Sequence, residues 1–313
     1  MKRLHLIADD NGRGLSRNIV LLRALLEGAG WEVTVTGEPR LSLPRRVVLA
    51  VRAAVSRPRF DANLFMESVV PGWLPHARRN LLLPNQEWFR EKGLKHLARF
   101  DTVLCQTRHA EGIFKGLGCQ TAYTSFTSMD RRLPGAKSDP RRVLHLGGHA
   151  QRGTAAVLAA WAARPDWPEL TVVQREPHAG PLPPNARVLT GLSDAALREL
   201  QNACGIHLQP SRAEGFGHSI VEGLSCGAVV VTTDAPPMNE VVTAERGLLA
   251  AWKSSEPMRL GTAYDADPAA LSARVDQALS LDAPARARLG DAARSWFEAN
   301  DRFFRRRFLE LLP

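Results

Sequence analysis

The residues best suited to chemistry crowd into one short segment, Pro210-Ser-Arg-Ala-Glu-Gly-Phe-Gly-His-Ser-Ile-Val-Glu222, which carries Glu214, Gly215, Gly217, Ser219 and Glu222. A carboxylate accepts hydrogen bonds from sugar or ribose hydroxyls. The glycines permit close backbone approach, and Ser219 is placed to open a helix whose unpaired amides and dipole favour a phosphate oxygen. One ligand with phosphates in its middle and hydroxyls at either side would satisfy the whole set. A plainer reading competes for Glu222, because Ser219-x-x-Glu222 is also a capping box and a cap needs no ligand. On the residues alone, the cap is the preferred reading.

The elements around this segment alternate. Residues 205–209 and 228–232 read as strands on either side of it. Earlier, Arg3 to Ala8 reads as a buried strand, Asp9 to Gly14 as a glycine-bearing turn, and Leu15 to Gly28 as a helix with Leu15, Ile19, Leu22 and Leu26 on one side. Further strands are expected over 31–36, 62–65, 80–83 and 101–105, with a helix over 108–116. A polar stretch with breakers, 129–140, reads as a linker, and a second strand, glycine loop and helix follow at 142–163. The expectation is an α/β chain of two Rossmann-like, doubly wound domains facing a cleft: 1–136, 137–295, and a terminal helix over 296–313.

The spacing Glu214-x7-Glu222 inside Pro-Ser-x-x-Glu-Gly-Phe-Gly, followed by Cys-Gly-Ala-Val-Val-Val-Thr, closely resembles the donor-site signature of retaining GT-B glycosyltransferases of the large family four. The resemblance covers the second half well and the first half in outline. It implies that Glu214 binds the donor sugar hydroxyls, Glu222 the ribose, and the backbone of Phe216 and Gly217 the distal phosphate. Arg152 matches the family's basic residue for the diphosphate. A cation is otherwise mildly unfavourable near a helix start, which supports that role. In the same loop Gly148 and His149 stand where relatives often carry a second basic residue. Gly191 and Leu192 resemble the place where the base lies against the backbone, and Gly12 and Gly14 the loop that closes on the donor from the first domain. Where many relatives have a histidine after the fourth strand, this chain has Leu83-Pro84-Asn85-Gln86-Glu87-Trp88, so Asn85 or Glu87 is expected there. The implied activity is metal-independent transfer from a UDP- or GDP-sugar to an acceptor hydroxyl, with the anomeric configuration retained and no cofactor. No Cys and His ligand spacing suggests a metal site.

Charge bears on the acceptor. Residues 1–140 hold 22 Lys plus Arg against 13 Asp plus Glu, whereas residues 141–313 hold 19 of each, so the net +9 sits in the first half. Six arginines and no acid lie between Glu38 and Asp61, four of them (Arg45, Arg46, Arg52, Arg57) on or beside an expected helix between Pro44 and Pro58. Such an excess steers polyanions of any chemistry. The partners expected are a nucleotide-sugar donor and a polyanionic acceptor or surface: a saccharide or glycolipid at an anionic membrane face, or a hydroxymethylated base in DNA. No protein partner is inferred. A solvated face and an arginine-rich coding bias, with 35 of the 41 basic residues Arg, compete with that reading. The chain has no apolar run of about 18 residues and no signal-peptide core, which places it in the cytoplasm, peripheral at the inner membrane face if the acceptor is a lipid. Two other functions share the architecture: a non-catalytic sugar-nucleotide-binding module, and an epimerase or phosphorylase.

Overall fold

A computed structural model of the chain describes residues 1–9, 14–37, 48, 51 and 58–313. Gly12, the arginines from 40 to 57 and, apart from Val48 and Val51, the helix expected between Pro44 and Pro58 lie outside the described residues. Contacts divide the chain into two compact units, Met1–Phe126 with Arg302–Pro313, and Thr127–Asp301.

The first unit carries a six-stranded sheet of order β2-β1-β3-β4-β5-β6, all neighbours parallel. Its strands are β1 (Lys2–Ile7), β2 (Trp31–Thr36), β3 (Phe60–Met66), β4 (Ala77–Leu83), β5 (Thr102–Cys105) and β6 (Thr121–Tyr123), with helices α1 (Gly14–Gly28) and α2 (Arg108–Gly116). The 3.6-residue spacing of Leu15, Ile19, Leu22 and Leu26 does what it predicts: all four are buried on α1. Thr107 caps α2 by accepting from the amide of Ala110 at 3.1 Å.

The second unit repeats the plan with a parallel sheet of order β12-β11-β10-β7-β8-β9. The strands are β7 (Asp139–Leu146), β8 (Leu170–Val173), β9 (Ala186–Leu189), β10 (Cys204–Gln209), β11 (Val229–Thr233) and β12 (Leu248–Ala250). Its helices are α3 (Thr154–Ala162), α4 (Asp194–Ala203), α5 (His218–Cys226), α6 (Met238–Val241), α7 (Pro268–Ser280) and α8 (Ala283–Glu310). β10 is buried at all six positions, as a central parallel strand must be when helices cover both faces. Val143, Ile206, Leu208, Val229 and Val231 pack there with Val157, Trp161, Leu271 and Val275.

The structure amends the sequence reading at several places. The terminal helix runs unbroken from Ala283, not from 296, and its last residues cluster with the first unit, where the Phe304 ring packs against that of Phe126 at a tilt of 58° with centroids 4.8 Å apart. An antiparallel hairpin, β13 (Trp252–Met258) with β14 (Gly261–Ala266), was not foreseen. The stretch expected as a linker is partly ordered against the second unit. Arg131 is 2% exposed, donating through Nε to Gln201 at 2.7 Å and through Nη1 to both oxygens of Asp194 at 2.9 Å. Among the described residues no helix is long and apolar enough to cross a membrane.

Candidate functional site

In the second sheet β7 and β10 are neighbours, yet the chain continues from them to opposite edges, through β8 to β9 and through β11 to β12. Loops leaving their carboxyl ends therefore diverge and leave a crevice, the usual ligand position in an open α/β sheet. The two loops that meet here are 147–153 and 210–217, which carry the residues singled out by type and spacing.

The first loop extends the β7 ladder by one bond, Gly147 N–H to the Val173 carbonyl at 2.9 Å, then makes a single 3-10 turn over Ala150–Arg152. It ends at Gly153, in the left-handed region at φ 72°. A Cβ at Gly153 would lie 2.2 Å from the carbonyl oxygen of Pro210, so only glycine lets the loops come this close. The Arg212 amide donates to the Gln151 carbonyl at 2.7 Å and locks the pair. Gly153→Ala is expected to cost about 2 kcal/mol, a Tm drop of roughly 5 °C in a thermal melt, and to lower turnover as the loops part.

The second loop is held from three sides. Thr233 donates to the Ser211 carbonyl at 2.8 Å, and the Tyr264 amide in β14 donates to the Arg212 carbonyl at 2.8 Å. The Arg212 guanidinium reaches Asp265 at 2.6 Å and Glu256 at 2.7 Å, so the unforeseen hairpin braces this loop. α5 then starts at His218, with Gly217 at φ 94° as its N-cap and no side-chain cap bond. Ser219 therefore does not open the helix, and the capping box with Glu222 is not formed. The Ser219 hydroxyl instead accepts from Arg152 Nη1.

Arg152 is the centre of the cluster. Its Nη1 also donates to Glu214 Oε1 at 2.8 Å, and the same oxygen accepts from the Ser211 hydroxyl at 2.7 Å. The two side chains are 20% and 13% exposed, enough shielding for the charges to act strongly while remaining reachable. A cation is thus fixed beside the N-terminal amides of α5, a combination suited to a doubly charged phosphate group. His145, beneath the loop, is fully buried between the Leu208 carbonyl at 2.7 Å and the Thr154 hydroxyl at 2.8 Å. Burial lowers its pKa to about 4, so it stays neutral and adds no charge.

Glu222 lies deeper. It is 2% exposed, and its Oε2 accepts from Gln201 Nε2 at 2.9 Å, the amide whose oxygen takes Arg131. Phe216 is buried at 4% beside His218, whose Nδ1 meets the Ser128 hydroxyl at 2.7 Å. Gly148 has φ 131°, and His149 is exposed and bonded to Gln151 at 2.9 Å. Gly191, at φ 68°, and Leu192 follow β9, the edge strand two places from β7. In the first unit Gly14 is the first residue of α1. Glu87 is buried at 4% in a 3-10 turn, while Asn85 donates to Glu67 and accepts from Gln106 at 2.7 Å. Arg131, Gln201 and Glu67 escaped the sequence reading, because none belongs to a motif, whereas Ser211 and Ser219 stand inside the motifs without their bonds to Glu214 and Arg152 being foreseen. Among the described residues no group of three or more His, Cys, Asp or Glu side chains is gathered as a metal site.

The family model "Glycosyl transferases group 1" matches residues 131–296, which span both loops. Searches of curated protein sequences return no match. Among solved structures, the sucrose-phosphate synthase of Thermosynechococcus elongatus aligns with a TM-score of 0.71 at 16% identity, covering 99% of this chain and 98% of that one. Anabaena Alr3699/HepE in complex with UDP and glucose aligns at 0.70 and 17%, covering 100% and 99%. WaaG, a glycosyltransferase involved in lipopolysaccharide biosynthesis, aligns at 0.67 and 15%, covering 100% and 99%. These likenesses establish the GT-B fold of two Rossmann-like α/β domains.

Proposed function

The chain belongs to the group 1 glycosyl transferases, and from that premise we propose that it moves a hexosyl or related sugar from a UDP- or GDP-sugar to an acceptor hydroxyl, retaining configuration and needing no metal. The observation that carries the reading is the Arg152–Glu214 pair at the β7/β10 crevice beside the start of α5. When the bond between the anomeric carbon and the phosphate oxygen breaks, the electron pair leaves with the diphosphate. Negative charge therefore grows where Arg152 and the α5 amides stand. Donors fixed in advance at that point stabilise the transition state more than the ground state. Glu214 holds Arg152 in place and, with the sugar bound, accepts from its hydroxyls. Glu222, oriented by Gln201, is assigned to the ribose.

The structure with UDP and glucose bound supports a nucleotide-sugar donor, since it shares the fold over the full length. For the acceptor we propose a saccharide or glycolipid met at the cytoplasmic membrane face, supported by the net positive charge carried by the first 140 residues. A thermal-shift screen of UDP- and GDP-sugars, followed by product analysis, tests the reading. At least one nucleotide sugar is expected to raise Tm and be turned over with its anomeric configuration kept, at a rate unchanged by EDTA. Inverted product removes retention, lost turnover in EDTA removes metal independence, and silence across the whole panel removes the donor assignment.

A further inference from the structure

Arg131 grips Glu222 from both ends through two intermediaries. Its Nε donates to the Gln201 side-chain oxygen at 2.7 Å, and Gln201 Nε2 donates in turn to Glu222 Oε2 at 2.9 Å. Its backbone amide donates to the Ser225 hydroxyl at 3.0 Å, and that hydroxyl donates to the Glu222 carbonyl at 2.7 Å. One residue thus governs both the carboxylate and the backbone of the same glutamate. All four residues are buried and all belong to the second unit.

Arg131 is itself held fast. Its Nη1 forks onto both carboxylate oxygens of Asp194 at 2.9 Å, and Nη2 donates to the Asp194 carbonyl at 2.9 Å. Its own carbonyl accepts from Arg198 Nε at 3.0 Å and from Asn202 Nδ2 at 2.7 Å. Asp194 and Gln201 lie about two turns apart on α4, so one helix face presents both to the guanidinium. Every guanidinium nitrogen is engaged by the protein, so the side chain can serve a ligand only through its partners.

The chemistry of the three groups fixes the direction of the chain of bonds. A guanidinium only donates and an ionised carboxylate only accepts, so an amide between them has one satisfied arrangement, oxygen to Arg131 and NH2 to Glu222. Burying a cation and a carboxylate gains little over apolar packing of the same volume, so stability alone does not call for this network.

We propose that Arg131 is a positioning residue for nucleotide recognition: through Gln201 and Ser225 it holds Glu222 ready to accept from the ribose hydroxyls, and so sets a preference for ribonucleotides over deoxyribonucleotides. The inference rests on the assignment of Glu222 to the ribose and adds the residue that makes that acid selective.

The probes are UDP and GDP, each beside its 2′,3′-dideoxy counterpart, in calorimetry on the whole chain. Wild type is expected to bind one of the two ribonucleotides about tenfold tighter than its dideoxy form. Gln201→Glu keeps an acceptor for Arg131 and removes only the donor facing Glu222; Arg131→Met removes the head of both chains of bonds. Both variants should bring that ratio within about twofold while binding the dideoxy form as wild type does. With the nucleotide sugar they should raise KM and leave kcat within about threefold, because a ribose contact is shared by ground and transition states. Arg131→Lys, which restores the charge without the fork, should recover only part of the ratio. If Arg131→Met fails to fold, Gln201→Glu decides the matter. A variant ratio equal to that of wild type, or equal losses for both forms as a merely structural role would give, overturns the proposal. Wild type that binds ribo and dideoxy forms alike removes the ribose role of Glu222 and the positioning with it, whereas wild type that binds neither UDP nor GDP removes the donor reading on which both stand.

Discussion

Arg152→Ala is expected to lower kcat/KM for nucleotide-sugar turnover by about two to three orders of magnitude, the usual cost of removing one preorganised donor from a developing negative charge. The side chain is 20% exposed and held by Glu214 and Ser219, so in the proposed reaction it is set in place before the charge develops and reorganises little. Arg152→Lys keeps the charge but cannot span Glu214 and Ser219 while facing a phosphate, and should recover only part of the rate. Glu214→Ala should lose both the sugar contact and the brace on Arg152, so the double variant is expected to fall short of the sum of the two single losses. A paired measurement of Tm separates lost chemistry from lost stability. Arg152→Ala turnover within threefold of wild type would show that the diphosphate charge is met elsewhere.

How far this site was legible depended on the range of the interactions that build it. Glu214 and Gly217 announce themselves because a glycine-flanked loop between a strand and a helix has a local signature, whereas Arg152 is singled out by the family resemblance. Ser219 was misread for the same reason: Ser-x-x-Glu satisfies a capping box from local spacing, and only the start of α5 one residue earlier, with Gly217 at φ 94°, shows its hydroxyl turned to Arg152. Arg131 sits among Pro, Gly and charged neighbours that read as a linker, yet its partners Asp194 and Gln201 lie more than sixty positions away and bury it. Hairpin β13–β14 is exposed over almost all of β13, so it lacks the alternation that reveals a half-buried strand. Glu67, at φ 57°, had no signal at all, because nothing in a sequence marks a glutamate that will take a left-handed backbone. The parallel sheets were legible through their buried apolar runs, whereas the switch point that creates the crevice follows from strand order, which is set by pairings between distant segments.

Acidification is expected to destabilise the second unit as its buried neutral histidines are forced to take up protons. His145 on β7 and His207 on β10 are both fully buried, and burial holds each near pKa 4, against about 6.5 in an unfolded chain. His145 is satisfied as a neutral ring, with one nitrogen at the Leu208 carbonyl and the other at the Thr154 hydroxyl. In His207, Nε2 donates to the Gln201 carbonyl at 2.9 Å, and Nδ1 is buried with no partner, so a proton added there would have no acceptor. Groups with depressed folded pKa values contribute stability that is present above the unfolded pKa and lost as pH falls toward the folded one. The window is therefore about pH 6.5 to 4, and each ring withdraws roughly 3 kcal/mol by its lower end. Two such terms approach the whole stability of an ordinary domain, about 5–15 kcal/mol. The ion-paired Asp265 and Asp276 have pKa values lowered from an already acidic 3.8, so their contribution fails only below this window and does not blur it. Urea unfolding followed by tryptophan fluorescence at pH 7, 5.5 and 4.5 should show stability falling steeply, and His207→Gln, though less well packed at pH 7, should lose about half of that slope. A slope left unchanged by His207→Gln and His145→Gln alike would mean that the neutral rings do not carry the acid sensitivity.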